Sequence, residues 1–194
     1  AQQRGTFWLS ENPEAVGTPG WDAALPRIAS WVQLRDRASG AEYLFVNTHF
    51  DHRGPQAREN SGKLLRQWIA EHREGRRAIL TGDLNAQVTD LPLKALLDPS
   101  PSSPPLTDAR RVAKQADSGP DSTWNGFREI AVGRRIDFLL LAGDFQVAQV
   151  TTLDPRTEAG GVCRATHPHP ARAERRGDTP RGDPAARGLR SPWS

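Results

Sequence analysis

Two short apolar runs, each ending in a polar cluster, lie on either side of one amphipathic segment, and this order constrains the chain more than any other feature. The first run, Tyr43-Leu44-Phe45-Val46, leads into Asn47-Thr48-His49, and the second, Ala78-Ile79-Leu80, into Thr81-Gly82-Asp83-Leu84-Asn85. Between them, over residues 55–74, Leu64, Leu65, Trp68 and Ile69 recur at helical spacing among Arg, Glu, Gln and Lys, and Gly75 follows as a C-terminal cap. The expected order is strand, helix, strand, and two polar clusters at strand ends suggest a shared mouth.

The flanking sequence extends this pattern. Residues 27–36 alternate Ile28, Ser30, Val32 and Leu34 against Ala29, Trp31, Gln33 and Arg35, and Arg37-Ala38-Ser39-Gly40 is a turn that joins them to a second strand over residues 42–50. A hairpin of this kind makes the two neighbours antiparallel. Downstream, residues 90–97 read as a second, weaker helix, the Pro- and Ser-rich residues 98–105 as a loop, and 135–141 as a buried-type strand. Residues 145–153 alternate again after Gly143-Asp144 and are expected to form a last strand. At 194 residues with 36% hydrophobic composition, one domain with one core is the expectation.

Charge and composition narrow the function classes. The sequence pI of 9.6 invites a polyanionic partner. Residues 1–156, however, carry 19 Lys and Arg against 19 Asp and Glu, so the net charge of +3 resides in residues 157–194. That stretch is dominated by Gly, Ala, Pro and Arg, with Val162, Leu189 and Trp193 as its large apolar side chains, and it cannot build a core. It fits a disordered tail, and equally a shifted reading frame of GC-rich DNA, rather than a functional arm. The single cysteine, Cys163, excludes an intrachain disulfide framework and a cysteine-rich zinc site, and it suits a reducing or an oxidising compartment. No apolar run approaches the roughly 20 residues needed to cross a bilayer.

Several residues carry candidate chemistry. Asp83 and Asn85 are two apart, so on a continuing strand both would face one hard cation or its bound water; the competing reading of Gly-Asp-Leu-Asn is a turn held by Asx side chains. Asp137 lies within Ile136-Asp137-Phe138-Leu139-Leu140-Leu141, where a buried carboxylate needs a donor or cation: an ion pair with Arg134 or Arg135, or a role orienting a catalytic histidine. His49, Asp51 and His52 do not make a credible three-ligand metal site, because consecutive strand residues face opposite ways, and a lone His49 donating to phosphate fits better. Arg58 and Lys63, near the start of the long helix, could meet an anion or form a solvated face. Trp124 fits either a base-stacking platform or a lid on the core, and Phe127 is assigned to the core.

Taken in order, Asn47-Thr48-His49-Phe50, Thr81-Gly82-Asp83-Leu84-Asn85-Ala86, Ser122-Thr123-Trp124 and Arg135-Ile136-Asp137-Phe138 resemble the successive motifs of the endonuclease/exonuclease/phosphatase superfamily. Phe7-Trp8-Leu9-Ser10-Glu11 and Gly20-Trp21-Asp22-Ala23-Ala24-Leu25-Pro26-Arg27 look like a bacterial branch of it, and the likeness spans residues 1–156. The resemblance implies an α/β fold, part of a four-layered α-β-β-α sandwich with mostly antiparallel sheets, and hydrolysis of phosphate esters with Mg²⁺ or Mn²⁺. By that likeness Asp83 orients the attacking water, Asn85 helps bind phosphate and metal, and His49 stabilises the transition state. Asp137 would hold a second histidine, for which His167 is the nearest candidate, while Trp124 and Arg58 are assigned to substrate and Asp83 with Asn85 to the metal.

The same likeness points to gaps. The chain opens at Ala1 almost directly on strand-like residues, no counterpart of the family's N-terminal metal-binding Glu is present, and Thr166 stands before His167 where the family has Asp. The expectation is therefore an incomplete domain over residues 1–156 with weak or no activity, or a non-catalytic, phosphate-binding remnant. The expected partners are a phosphorylated small molecule, a phospholipid headgroup or a nucleic acid, met by a monomer, and a neutral body argues against tight nucleic-acid binding.

Overall fold

The computed structural model describes residues 1–101, 103–115, 118–126 and 131–154. The chain divides into two units, Ala1–Cys163 and Arg164–Ser194, and the described residues all belong to the first. The tail over residues 157–194, His167 and Phe127 lie outside them.

The elements in chain order are β1 (Gln3–Trp8), β2 (Ile28–Arg35), β3 (Glu42–His49), α1 (Pro55–His72), β4 (Arg77–Asp83), α2 (Leu91–Leu97), β5 (Thr107–Asp108), α3 (Ala109–Val112) and β6 (Asp137–Ala142). Among the described residues they form one six-stranded sheet in the order β1-β2-β3-β4-β6-β5. The pairing is antiparallel throughout except between β3 and β4, which run parallel with α1 as their crossover. That parallel pair brings both polar strand ends to one edge of the sheet, as the shared mouth requires.

Strand alternation sorts side chains between two faces. One face presents Phe7, Ala29, Leu44, Val46, Ala78, Leu80, Phe138 and Leu140, which pack with Leu65 and Ile69 of α1 and Leu93 and Leu96 of α2 into the core. Fully burying each of the larger side chains contributes roughly 1.5–3 kcal/mol. Val32, Phe45, Ile79 and Leu139 point to the opposite, open face; they stay half-buried and outside that core. Ile28, on the same face, is 39% exposed. A surface this apolar is unusual for a sheet with one solvated side.

The ends of α1 are built from distant parts of the chain. Gly54 at the N-cap offers no side chain, and the Asp22 carboxylate accepts the N–H groups of Gln56 (3.2 Å) and Ala57 (2.6 Å) in its place. The helix stops at His72, two residues before its expected end, because Glu74 (φ 48°) and Gly75 (φ 80°) both turn left-handed. The predicted loop at 98–105 is held by Arg66, a buried cation that donates to the carbonyls of Ala95 (3.0 Å), Asp98 (2.5 Å), Pro104 (3.2 Å) and Ser103.

Residues 145–153 do not form the expected strand. Lys114 N–H bonds to the Val147 carbonyl, Gln115 N–H to that of Ala148, and Thr152 N–H to that of Ser118, an irregular pairing with those residues rather than a ladder on the sheet. The β6 edge where such a strand would dock is taken by β5.

Candidate active site

At the mouth, register aligns five side chains in a row across the open face. Trp8 pairs with Ile28, Ile28 lies beside His49, His49 pairs with Asp83, and Asp83 with Asp137. His49 Nε2 stands 3.5 Å from Asp83 Oδ2, with 56% and 29% of the two side chains exposed. One step below, Thr81 donates its hydroxyl to Asn47 Oδ1 at 2.8 Å. A cavity of about 650 Å³ lies on the same face between Thr6, Ser30, Val32, Phe45 and Asn47.

Gly82 makes the approach of β3 and β4 possible. Its φ is 155°, and a Cβ there would sit 2.0 Å from the Thr48 carbonyl oxygen, so no other residue fits between the strands. The Asp83–Asn85 stretch then combines both readings of the motif. Asp83 ends β4, and its Oδ1 accepts the Asn85 N–H at 2.8 Å, which is an Asx turn. Asn85 is therefore not on a continuing strand: its φ is 45°, and its amide nitrogen donates to the Phe50 carbonyl at 3.0 Å. That bond fixes the amide with Oδ1 as its remaining acceptor, available to a cation, a water or a phosphate-bound proton.

Asp137 departs from expectation in its placement. It is the first residue of β6 and faces the mouth, rather than lying buried in an apolar strand. It also takes no ion pair from its neighbours: Arg135 pairs with buried Asp108, and Arg134 stacks 4.2 Å above the Trp124 ring. Desolvation raises its carboxyl above the usual range, the Asp83 charge adds to the rise, and the Thr123 hydroxyl and His49 oppose it. Trp124, 37% exposed, lines a cavity of about 200 Å³ with Thr123, Asn125 and Asp137, which places it beside the row rather than in the core. Arg58 sits apart, donating to the Asp51 carbonyl at 3.0 Å and lining a separate cavity with Ala86 and Lys94.

Asp51 is the residue that sequence reasoning undervalued. Its carboxylate, 1% exposed, accepts N–H groups from Gly54 (2.7 Å), Arg53 (2.9 Å) and Leu25 (3.3 Å), with Arg27 at 3.5 Å. Burial alone would raise its pKa, but the N–H groups of Gly54, Arg53, Ala24 and Leu25 outweigh it and hold the carboxyl well below the usual range. It clamps residues 24–27 to the turn before α1; His52 Nδ1 lies 3.8 Å from its Oδ1, whereas His49 faces Asp83, so the three do not converge on one site. The Asp-x-x-Gly-Pro spacing of residues 51–55 was its only sequence signal.

Among the described residues no group of three or more His, Cys, Asp and Glu side chains gathers to hold a metal. Asp83 and Asn85 do offer two hard oxygen donors, which suits Mg²⁺ or Mn²⁺, ions that keep several waters and need few protein ligands.

A mostly antiparallel sheet with two helices on one face and a row of His49, Asp83 and Asp137 across its strand ends defines an α/β domain. The chain belongs to the Endonuclease/Exonuclease/phosphatase family, whose sequence model matches residues 3–177. An endonuclease/exonuclease/phosphatase protein from Bacteroides vulgatus is similar in structure, with a TM-score of 0.71 and 34% identity over 77% of this chain and 57% of that one. A mannosyl-6-phosphatase from Bacteroides thetaiotaomicron follows at TM-score 0.68 and 33% identity, over 76% and 54%. A conserved protein of unknown function from Enterococcus faecalis reaches TM-score 0.68 at 25% identity, over 79% and 58%. The chain thus spans a little over half the length of these relatives. No curated protein matches it in sequence.

Proposed function

We propose that this chain carries one wall of a metal-dependent phosphoester hydrolase site, and that its substrate is a small phosphorylated molecule rather than a nucleic acid. The observation that carries this reading is the row His49, Asp83, Asp137 across β3, β4 and β6, with Asn85 tied to Asp83 by the Asx turn. The neutral charge balance of residues 1–156 supports a small substrate.

In this reading Asp83 accepts a hydrogen bond from the attacking water and aligns it, since its Oδ2 is not committed to a backbone donor. His49, exposed at the mouth, donates Nε2–H to a phosphoryl oxygen as negative charge builds there. Asn85 Oδ1 and Asp83 would hold the Mg²⁺ or Mn²⁺, which when bound supplies Lewis-acid stabilisation to the phosphoryl oxygens. Asp137 adds a second carboxylate that positions a donor facing the phosphate, and Trp124 forms a flat wall for the group attached to it.

Two protein oxygens are a thin metal set, and the open face is apolar enough to seat another layer. Both features support residues 1–156 as a partial domain that contributes one sheet of a larger sandwich, so the isolated chain turns over weakly. The test is hydrolysis of mannose 6-phosphate, p-nitrophenyl phosphate and bis(p-nitrophenyl) phosphate with Mn²⁺, alongside Mn²⁺ calorimetry. Slow, metal-dependent release of phosphate, lost in Asp83→Asn, is expected. Turnover as fast as that of the Bacteroides thetaiotaomicron mannosyl-6-phosphatase would defeat the partial-domain reading. No turnover together with no Mn²⁺ binding would make the chain a non-catalytic remnant.

A further inference from the structure

Residues 122–124 wrap around the start of β6. The Arg134 carbonyl receives the N–H groups of Thr123 (3.2 Å) and Trp124 (3.1 Å), and the buried Ser122 hydroxyl lies 2.9 Å from it. Thr123 Oγ1 accepts the N–H groups of both Ile136 and Asp137, each at 3.0 Å. With its lone pairs taken by the main chain, the hydroxyl has one proton left to give, and its effect on the neighbouring Asp137 carboxyl is to lower a pKa that burial raises. One hydroxyl therefore anchors the backbone of Asp137 and stands as the donor at hand for its side chain.

The surroundings make that anchor consequential. Asp83 stands in register beside Asp137, so two like charges favour Asp137 swinging outward, away from the row. The strand cannot shift to compensate: on its other side Arg135 is locked to buried Asp108 and packs 4.3 Å above the Phe138 ring. Thr123 supplies the donor that opposes the swing, and a side chain that only packed would leave the orientation open.

We propose that Thr123 is a positioning residue that fixes the Asp137 carboxylate beside Asp83 and His49. Its activity readout rests on the hydrolase reading given above, and its structural readout does not. Thr123→Val is isosteric and loses the hydroxyl, Thr123→Ser keeps it, and Thr123→Ala leaves room for a water should the valine variant unfold.

On p-nitrophenyl phosphate with Mn²⁺, the full-length Thr123→Val chain is expected to lose kcat roughly ten- to hundredfold with KM little changed, while Thr123→Ser retains most of it. Because Thr123 acts through Asp137, Thr123→Val added to Asp137→Asn should lower kcat no further, whereas a purely structural role gives additive losses. An additive cycle, or a hydroxyl-free variant with wild-type kcat, overturns the proposal. Should the wild-type chain show no turnover, the hydrolase reading fails first, and crystal structures of wild type, Thr123→Val and Thr123→Ala decide this one. An Asp137 carboxylate displaced from Asp83 in the hydroxyl-free variants supports it, and an unmoved carboxylate overturns it.

Discussion

Asp51 and Asp83 stand at the ends of adjacent parallel strands, Asp51 two residues past β3 and Asp83 the last residue of β4, and the two have opposite settings. Asp51 is sealed, with its oxygens taken by three backbone N–H groups from two places in the sequence, Leu25 and Arg53-Gly54. Asp83, across from it, accepts one backbone N–H and turns its other oxygen toward His49 and the solvent. The difference lies in how many of its acceptor positions the protein has already filled, and on the proposed function it is what leaves Asp83 open to chemistry. A residue with none to spare contributes stability, and a residue with one to spare contributes chemistry.

The largest effect should come from a site beneath both turns. In Gly82→Ala the new Cβ would lie 2.0 Å from the Thr48 carbonyl oxygen, so β3 and β4 must separate and both carboxylates lose their setting. A loss of more than about 3 kcal/mol, or failure to fold, is expected in urea denaturation. A fold unchanged within about 1 kcal/mol would show that the strands can part without disturbing either turn.

Next in size is Asp51→Asn. The amide keeps one acceptor oxygen and places an NH₂ against N–H groups, leaving buried donors unpaired, which should cost about 2–4 kcal/mol. The pH dependence has a defined sign. The folded pKa of Asp51 is depressed, so its contribution is fully present above the unfolded value of about 4 and is lost as pH falls through the folded value. Wild type should therefore weaken in acid, and the difference between wild type and variant should shrink there. A difference constant from pH 7 into strong acid would place Asp51 outside this account.

Asn85→Ala tests the link between the two turns. Asn85 joins them through its bond to the Phe50 carbonyl and holds a φ of 45° that alanine tolerates poorly. A loss of about 1–2 kcal/mol is expected, with Asn85→Gly recovering the backbone part of it but not the hydrogen bond. Equal stability for the two variants would mean that backbone conformation contributes nothing at this position.

Much of the fold around these turns was legible in the sequence because it is local. Period-two alternation marks β2 and β3, Leu64 to Ile69 mark α1, and Asn47-Thr48-His49 and Gly82-Asp83-Leu84-Asn85 point to one mouth. What was not legible depends on partners. Residues 145–153 alternate like a strand, yet β5, two residues long and without a periodic signature of its own, occupies the edge they would use. Asp137 looked buried because its own strand is apolar, but register places it at the rim, and only the pairing with Asp83 shows that. The clamp at Asp51 has no sequence pattern of its own because several of its partners, Ala24, Leu25 and Arg27, lie more than 20 residues away.

Asp83→Asn should have the smallest effect on stability and sharpens the comparison most. The amide oxygen can still accept the Asn85 N–H, so the Asx turn survives, and the contact with His49 is long and exposed enough to contribute little. Removing the charge also relieves the repulsion with Asp137, which offsets what is lost. The net change should stay within about 0.5 kcal/mol of wild type, or be slightly stabilising, as expected where a residue is kept for function at some expense to the fold. The same variant should abolish Mn²⁺ binding in calorimetry and any phosphate release. A loss of more than about 2 kcal/mol would put Asp83 in the same class as Asp51. Unchanged Mn²⁺ binding would remove it from the metal set and leave Asn85 and Asp137 as the oxygen donors at the mouth.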